Sequence, residues 1–284
     1  MTGELRAFHT PEHRPFTWRG HENAALLVHG FPGTPAEMRR AGSLLHSMGW
    51  TAHGLLLPGF GPTIGELAQH RHADWVNAVE QALAELRRDH RRIILVGNSM
   101  GGALALHVAA RQPVAGVILF SPFWRVASWL DRVYPVAATV IPEMRPFQRA
   151  SFADPKLREM MHQIMPDADL DDAAVQSALR NLRIPVGVLG QVRRSGQLGY
   201  QAAAHVLAPT LVFQGLQDPL VKPAMTRRLA DRLPNLAEYV EVEGGHELVN
   251  RCDECWPVIA AAIHRYTCVL AAQQAGNRTK QLHS

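Results

Sequence analysis

Short runs of consecutive apolar residues, each stopped by a glycine or proline, alternate along the chain with stretches of helical spacing. Residues 24–30 (Ala-Ala-Leu-Leu-Val-His-Gly) form the first such run. Leu55-Leu56-Leu57 before Pro58-Gly59, Ile93 to Val96 before Gly97, and Val117 to Phe120 before Ser121-Pro122 repeat it. Continuous apolar runs of this length read as strands buried on both faces, not as strands with one wet face. Between them, Ala36 to Met48, Trp75 to Leu86 and Gly101 to Arg111 carry apolar positions three and four apart and are predicted to be helices. This alternation predicts an α/β fold, a mostly parallel sheet with helices on both faces.

The rhythm breaks after Pro122. From Phe123 to about Val206, prolines and acidic clusters separate what read as several short helices, with no buried-strand signal. It resumes at Pro209 to Gly215 and at Tyr239 to Glu243, and a last helix is predicted from about Asp253 to Ala272. The expectation is a core of residues 1–122 and 207–284 with residues 123–206 inserted as a helical cap. Lying between two sheet strands, such an insert can cover the strands' C-terminal edge, where open α/β sheets bind ligands.

Composition narrows the class without changing the picture. With 47% apolar and 19% charged residues among 284, the chain is ordinary for a globular protein. A formal charge of +4 is thin for this length, and the basic pairs Arg87-Arg88 and Arg91-Arg92 read as a solvated helix end, so no nucleic-acid partner is expected. There is no apolar run long enough for an integral membrane segment and no signal-like stretch at the N-terminus, which points to a cytoplasmic protein. Three cysteines do not make a disulfide framework, and Cys252-Asp-Glu-Cys255 lacks the second pair that a metal site needs; a reducing compartment and no metal are expected.

The chemistry concentrates at Gly97-Asn-Ser99-Met-Gly101, set directly after a β-branched run and before a helical one. A serine nucleophile needs a turn so tight that its hydroxyl stands clear of the backbone, and that turn tolerates only small neighbours. Gly97 and Gly101 supply the room. Together with Val28-His-Gly-Phe-Pro-Gly-Thr-Pro35 and Leu57-Pro-Gly-Phe-Gly61, the segment resembles the α/β-hydrolases, and among them the bacterial carboxylesterase and monoacylglycerol lipase group. The resemblance covers about residues 24–122 and 208–265.

In that fold the order along the chain is serine, acid, histidine. Asp218, after the strand at Leu211 to Gly215, is the expected acid, with Asp231, Asp253 and Glu254 as weaker rivals in helices. His246, carried after the last strand by Gly244-Gly245, is the expected base, ahead of His205, His264 and His283. The oxyanion donors are expected to be the backbone N–H groups of Met100 and, from its place in the motif as the resemblance implies, Phe31; Pro32 has no N–H and Gly33 is the other candidate. His29 reads as a brace for that loop, and Asp74 as an N-cap-like residue opening the helix at Trp75.

These residues predict hydrolysis of a small-molecule ester with an apolar acyl group through an acyl-enzyme, with no organic cofactor. Apolar insert residues, Phe123, Trp124, Trp129, Leu130, Tyr134 and Met161 among them, are candidates for an acyl pocket or for the insert's own core. The same triad serves thioesters, amides and carbon–carbon bonds. A non-catalytic receptor on this scaffold is the reading from a different class, disfavoured because all three triad positions are filled.

Overall fold

The structure is a computed structural model that describes residues 8, 10–125, 143–145, 147–155, 157–158, 161, 169–181, 183–250 and 252–281. Seven strands form the main sheet: β1 (Phe16–Trp18), β2 (Asn23–Val28), β3 (Thr51–Leu55), β4 (Arg92–Asn98), β5 (Gly116–Phe120), β8 (Thr210–Gly215) and β9 (Leu236–Val242). Two residues each in β6 (Glu143–Met144) and β7 (Ile184–Pro185) pair separately. The helices are α1 (Arg39–Ser47), α2 (His72–Asp89), α3 (Met100–Ala109), α4 (Ala173–Arg180), α5 (Val186–Ala202), α6 (Pro223–Ala230) and α7 (Trp256–Gln281).

The sheet order is β1-β3-β2-β4-β5-β8-β9, parallel except for β1, which pairs antiparallel to β3. After β2 the chain moves outward to β3, then returns to place β4 on the other side of β2. The C-terminal ends of β2 and β4 therefore flank the point where the strand order reverses, the crevice in which open sheets take their ligands. Val28 of β2 lies opposite Gly97 of β4, so the loops that follow these strands leave side by side.

Each central strand divides its apolar residues between two faces, because successive side chains of a strand point to opposite sides. Leu26, Val28, Leu95, Val117 and Leu119 pack with α2 and α3, while Leu27, Ile94, Val96, Ile118 and Phe120 pack with α1 and α7. This double burial is why these strands read as unbroken apolar runs.

Several expectations shift. The third strand ends at Leu55, so that Leu56 and Leu57 lead into the turn instead of lying in the strand. The strand itself, Thr-Ala-His-Gly-Leu, is too mixed to stand out because it takes β1 on its outer side, and β1 carries no run of its own. Helix α2 starts at His72; Asp74 lies in its first turn and accepts the N–H of Arg71, so it closes a capping box and is not itself the cap. Cys252 and Cys255 are joined in a disulfide, against the expectation of free thiols, since the turn ahead of α7 brings their Cα atoms to 5.3 Å.

Among the described residues between β5 and β8 the longest element is α5, of 17 residues, where only short helices were expected. Its Val188 and Val192 join the core under α2 and α3, whereas Phe152, Met161, Leu170 and Leu179 form a separate small cluster with Phe8. Trp129, Leu130 and Tyr134 lie outside the described residues.

Candidate active site

Ser99 stands between β4 and α3 at φ +50°, ψ −114°, in a region that L residues rarely occupy and that costs on the order of 1–3 kcal/mol unless neighbours hold it. They do hold it. Its N–H donates to the Phe120 carbonyl of β5 at 2.9 Å, and its carbonyl accepts from Phe123 at 3.1 Å and from Gly102 at 3.1 Å. A Cβ on Gly97 would come 2.6 Å from Gly102, and one on Gly101 would overlap the Val28 carbonyl, so both glycines are required by close approach.

Asp218 leaves the turn after β8 with its carboxylate buried. Oδ1 accepts the N–H groups of Leu220 and Val221, each at 2.8 Å, and Oδ2 meets Nδ1 of His246 at 2.7 Å. Burial by itself would raise the Asp218 pKa, but the His246 contact and the two N–H donors outweigh it and hold the carboxyl below its usual range. For His246 burial acts downward, while Asp218, Glu247 and Glu37 act upward and prevail, so the imidazole is more basic than a free one. With Nδ1–H donated to Asp218, Nε2 is left as the acceptor. Asp231, Asp253 and Glu254 take no part in this pair; Asp253 is exposed and paired with Arg40 at 2.7 Å.

Met100 is the first residue of α3, so its N–H has no carbonyl to reach in its own helix and points out of the positive helix end. On the other side of the switch point, the Gly30 carbonyl is held by Nδ1 of His29 at 2.9 Å and by the N–H of Gly33 at 3.1 Å. That carbonyl and the Phe31 N–H belong to one trans peptide and point in opposite directions, so fixing one aims the other. His29 is fully buried, takes the Leu57 N–H on Nε2 at 3.1 Å, and has its pKa lowered to about 4 chiefly by burial. It is a neutral brace, as the sequence suggested.

One residue here escaped the sequence reading. Glu37, in the short helical turn Pro35–Met38, turns its carboxylate back to accept the Gly30 N–H and bonds the side chain of Asn98, the neighbour of Ser99. Its only sequence signal is a carboxylate seven residues beyond a motif glycine.

A second serine–histidine contact lies elsewhere: His72 Nδ1 and Ser195 Oγ are 2.8 Å apart between α2 and α5. Ser195 spends its own proton on the Gln191 carbonyl at 3.1 Å, so Nδ1 must be the donor to Oγ. The charged groups bearing on His72 are His107 and Arg194, not a carboxylate, and its pKa is lowered to about 4, first by burial. This pair cannot activate a nucleophile.

A model of the family described as serine aminopeptidase, S33 (Hydrolase_4) matches residues 20–253. The chain belongs to this family. It is thus an α/β-hydrolase enzyme of the esterase and lipase type. A carboxylesterase from Bacillus subtilis is 32% identical over 106 residues, 37% of this chain and 43% of that protein. A thermostable monoacylglycerol lipase from Bacillus sp. H-257 is 25% identical over 211 residues, 74% of this chain and 76% of its own. Among solved structures, one of the metagenome-derived lipolytic enzymes LipS and LipT superposes at TM-score 0.69 with 20% identity, covering 92% of this chain and 98% of that one. The B. subtilis carboxylesterase is thus spanned over less than half its length, whereas the lipase is spanned over three quarters. Among the described residues of this hydrolase, no helix is long and apolar enough to cross a membrane.

Proposed function

We propose that this α/β-hydrolase cleaves carboxylic esters through an acyl-enzyme, with Ser99 as nucleophile, His246 as its base and Asp218 as the residue that orients the imidazole. The observation that carries this reading is the conjunction of a strained Ser99 on the strand-to-helix turn with a 2.7 Å His246–Asp218 pair issuing from β8 and β9. Ser99 attacks the carbonyl carbon as His246 Nε2 takes the hydroxyl proton. The tetrahedral oxyanion is met by the N–H groups of Phe31 and Met100, each worth ~3 kcal/mol. Collapse expels the alcohol, which receives the proton from His246, and a water activated by the same nitrogen then releases the acid.

Esters with medium acyl chains or monoglycerides are the proposed substrates, supported by the names of the carboxylesterase and monoacylglycerol lipase relatives. Residues 123–206 are proposed to act as the cap, and the cytoplasm is the proposed site of action.

The test is turnover of p-nitrophenyl esters from acetate to palmitate, with a p-nitroanilide beside them. Hydrolysis that peaks at intermediate chain length and fails in Ser99→Ala supports the reading. Persistent turnover in Ser99→Ala removes it, and preference for the anilide moves the assignment to amides.

A further inference from the structure

The loop that presents the Phe31 N–H and the turn that presents Ser99 come from different strands, and a single side chain joins them. We infer that Glu37 is a positioning residue: its carboxyl bridges the Gly30 peptide to Asn98 and so sets the oxyanion donor relative to the nucleophile. This rests on Ser99 being the nucleophile.

The geometry is specific. Gly30 is flanked by two peptides. The one that follows it is fixed through its carbonyl by His29 and Gly33, and the one that precedes it is fixed through its N–H by Glu37 Oε1. A Cβ on Gly30 would stand 3.1 Å from the Ser99 Cβ and 3.4 Å from Glu37 Oε1, and one on Gly33 would overlap the Glu37 carboxylate. The carboxyl therefore fills the space between two loop glycines, directly beside the nucleophile. Removing it leaves the Gly30 N–H without its acceptor and leaves a void against the oxyanion peptide.

Asn98 meets the carboxyl through its amide N–H side, since its Oδ1 is buried without a partner. Glu37 therefore takes one N–H donor from each loop. Burial, then the Glu247 charge, push the Glu37 carboxyl up to about 8, against the Gly30 N–H, Asn98 and His246, which pull downward. An ionised Glu37 would also stand behind the peptide on which the reaction's negative charge collects.

The experiment compares Glu37→Gln and Glu37→Leu in the full chain, using p-nitrophenyl butyrate kinetics and the rate of Ser99 labelling by a fluorophosphonate. Glutamine keeps an oxygen that accepts the Gly30 N–H in nearly the same volume, whereas leucine fills the volume without that bond. The leucine variant is expected to lose kcat by ~10–100-fold with KM within ~2-fold, the pattern of an interaction made in the transition state, and to label more slowly. The glutamine variant is expected to keep kcat within ~3-fold at pH 7 and, unlike wild type, to show no fall in kcat above about pH 8. Equal kcat in the leucine variant and wild type overturns the inference, and so does failure of glutamine to rescue. If the leucine variant does not fold, Glu37→Asp, whose carboxyl is one methylene short of the Gly30 N–H, takes its place, and kcat equal to wild type in it overturns the inference. Turnover surviving in Ser99→Ala would remove the nucleophile assignment itself, a result that none of the Glu37 outcomes mimics.

Discussion

Ser195 meets His72 inside the helical layer, while the proposed reaction sets Ser99 to work with His246, and the surroundings of these two serines and two histidines are opposite. Ser99 sits on a strained turn at the C-terminal edge of the sheet, its hydroxyl free of the backbone ladder, and His246 is backed by a buried carboxylate that raises its basicity. Ser195 sits inside a helix with no exposed surface, gives its proton to a backbone carbonyl, and faces an imidazole whose protonation burial, His107 and Arg194 all oppose. A nucleophile thus depends less on a serine meeting a histidine than on the third group that decides which way the proton moves.

Exchanging the two serines gives the largest contrast. Ser99→Ala is expected to lower kcat for p-nitrophenyl butyrate by at least ~10³-fold, while Ser195→Ala should leave it within ~3-fold. An inverted result, with Ser195 essential and Ser99 dispensable, would break the comparison outright.

The next contrast is the carboxylate. Asp218→Asn is expected to cost ~10²–10⁴ in kcat, since Nδ1 of His246 loses the acceptor that fixes its tautomer. It should also move the acid limb of kcat/KM. In the proposed mechanism activity requires neutral His246, so in wild type it should rise only as pH passes the raised imidazole pKa. Without the Asp218 charge that limb shifts to lower pH. A limb that stays in place would mean that another group sets the basicity.

How far these sites could be read from sequence follows from how local their determinants are. The Ser99 turn announces itself because glycines at fixed offsets, an apolar strand before and a helix after are all needed by one steric problem. Asp218 and His246 were legible through their places after β8 and β9, though nothing in the sequence stated their distance. Glu37 was not legible. Its meaning depends on a chain reversal that brings the carboxylate back over Gly30, and on Asn98 arriving from another strand. The length of helix α5 was missed for a related reason. It follows Pro185 and contains Gly187, Gly190, Gly196 and Gly199, a composition that argues against a helix on propensity alone. Tertiary packing overrides that local preference. Cβ atoms on Gly196 and Gly199 would stand 2.8 Å from the Trp124 backbone and 2.7 Å from Ala103 Cα, so these glycines let α5 lie close against α3 and the exit of β5. Trp124 and Tyr200 stack across this contact with ring centroids 4.2 Å apart.

The smallest effect separates the two histidines by stability rather than by rate. His72 titrates at about 4 in the folded chain, against an ordinary 6.5, because burial, His107 and Arg194 all oppose its charge. A base whose folded pKa is depressed favours folding only while neutral: the contribution is fully present above about pH 6.5 and drains away as pH falls toward 4. Wild type should therefore lose thermal stability over that interval, with His29, also lowered to about 4, contributing in the same direction. His72→Asn keeps an amide donor for Ser195 Oγ but has no proton to take up. Its melting temperature is expected to lie a few degrees below wild type at pH 8, from lost packing, and to converge on wild type as pH approaches 4. Differential scanning fluorimetry across this range reads the slope directly. Parallel curves would show that His72 does not titrate, leaving the acid sensitivity to His29, and the contrast between the pairs would then rest on kinetics alone.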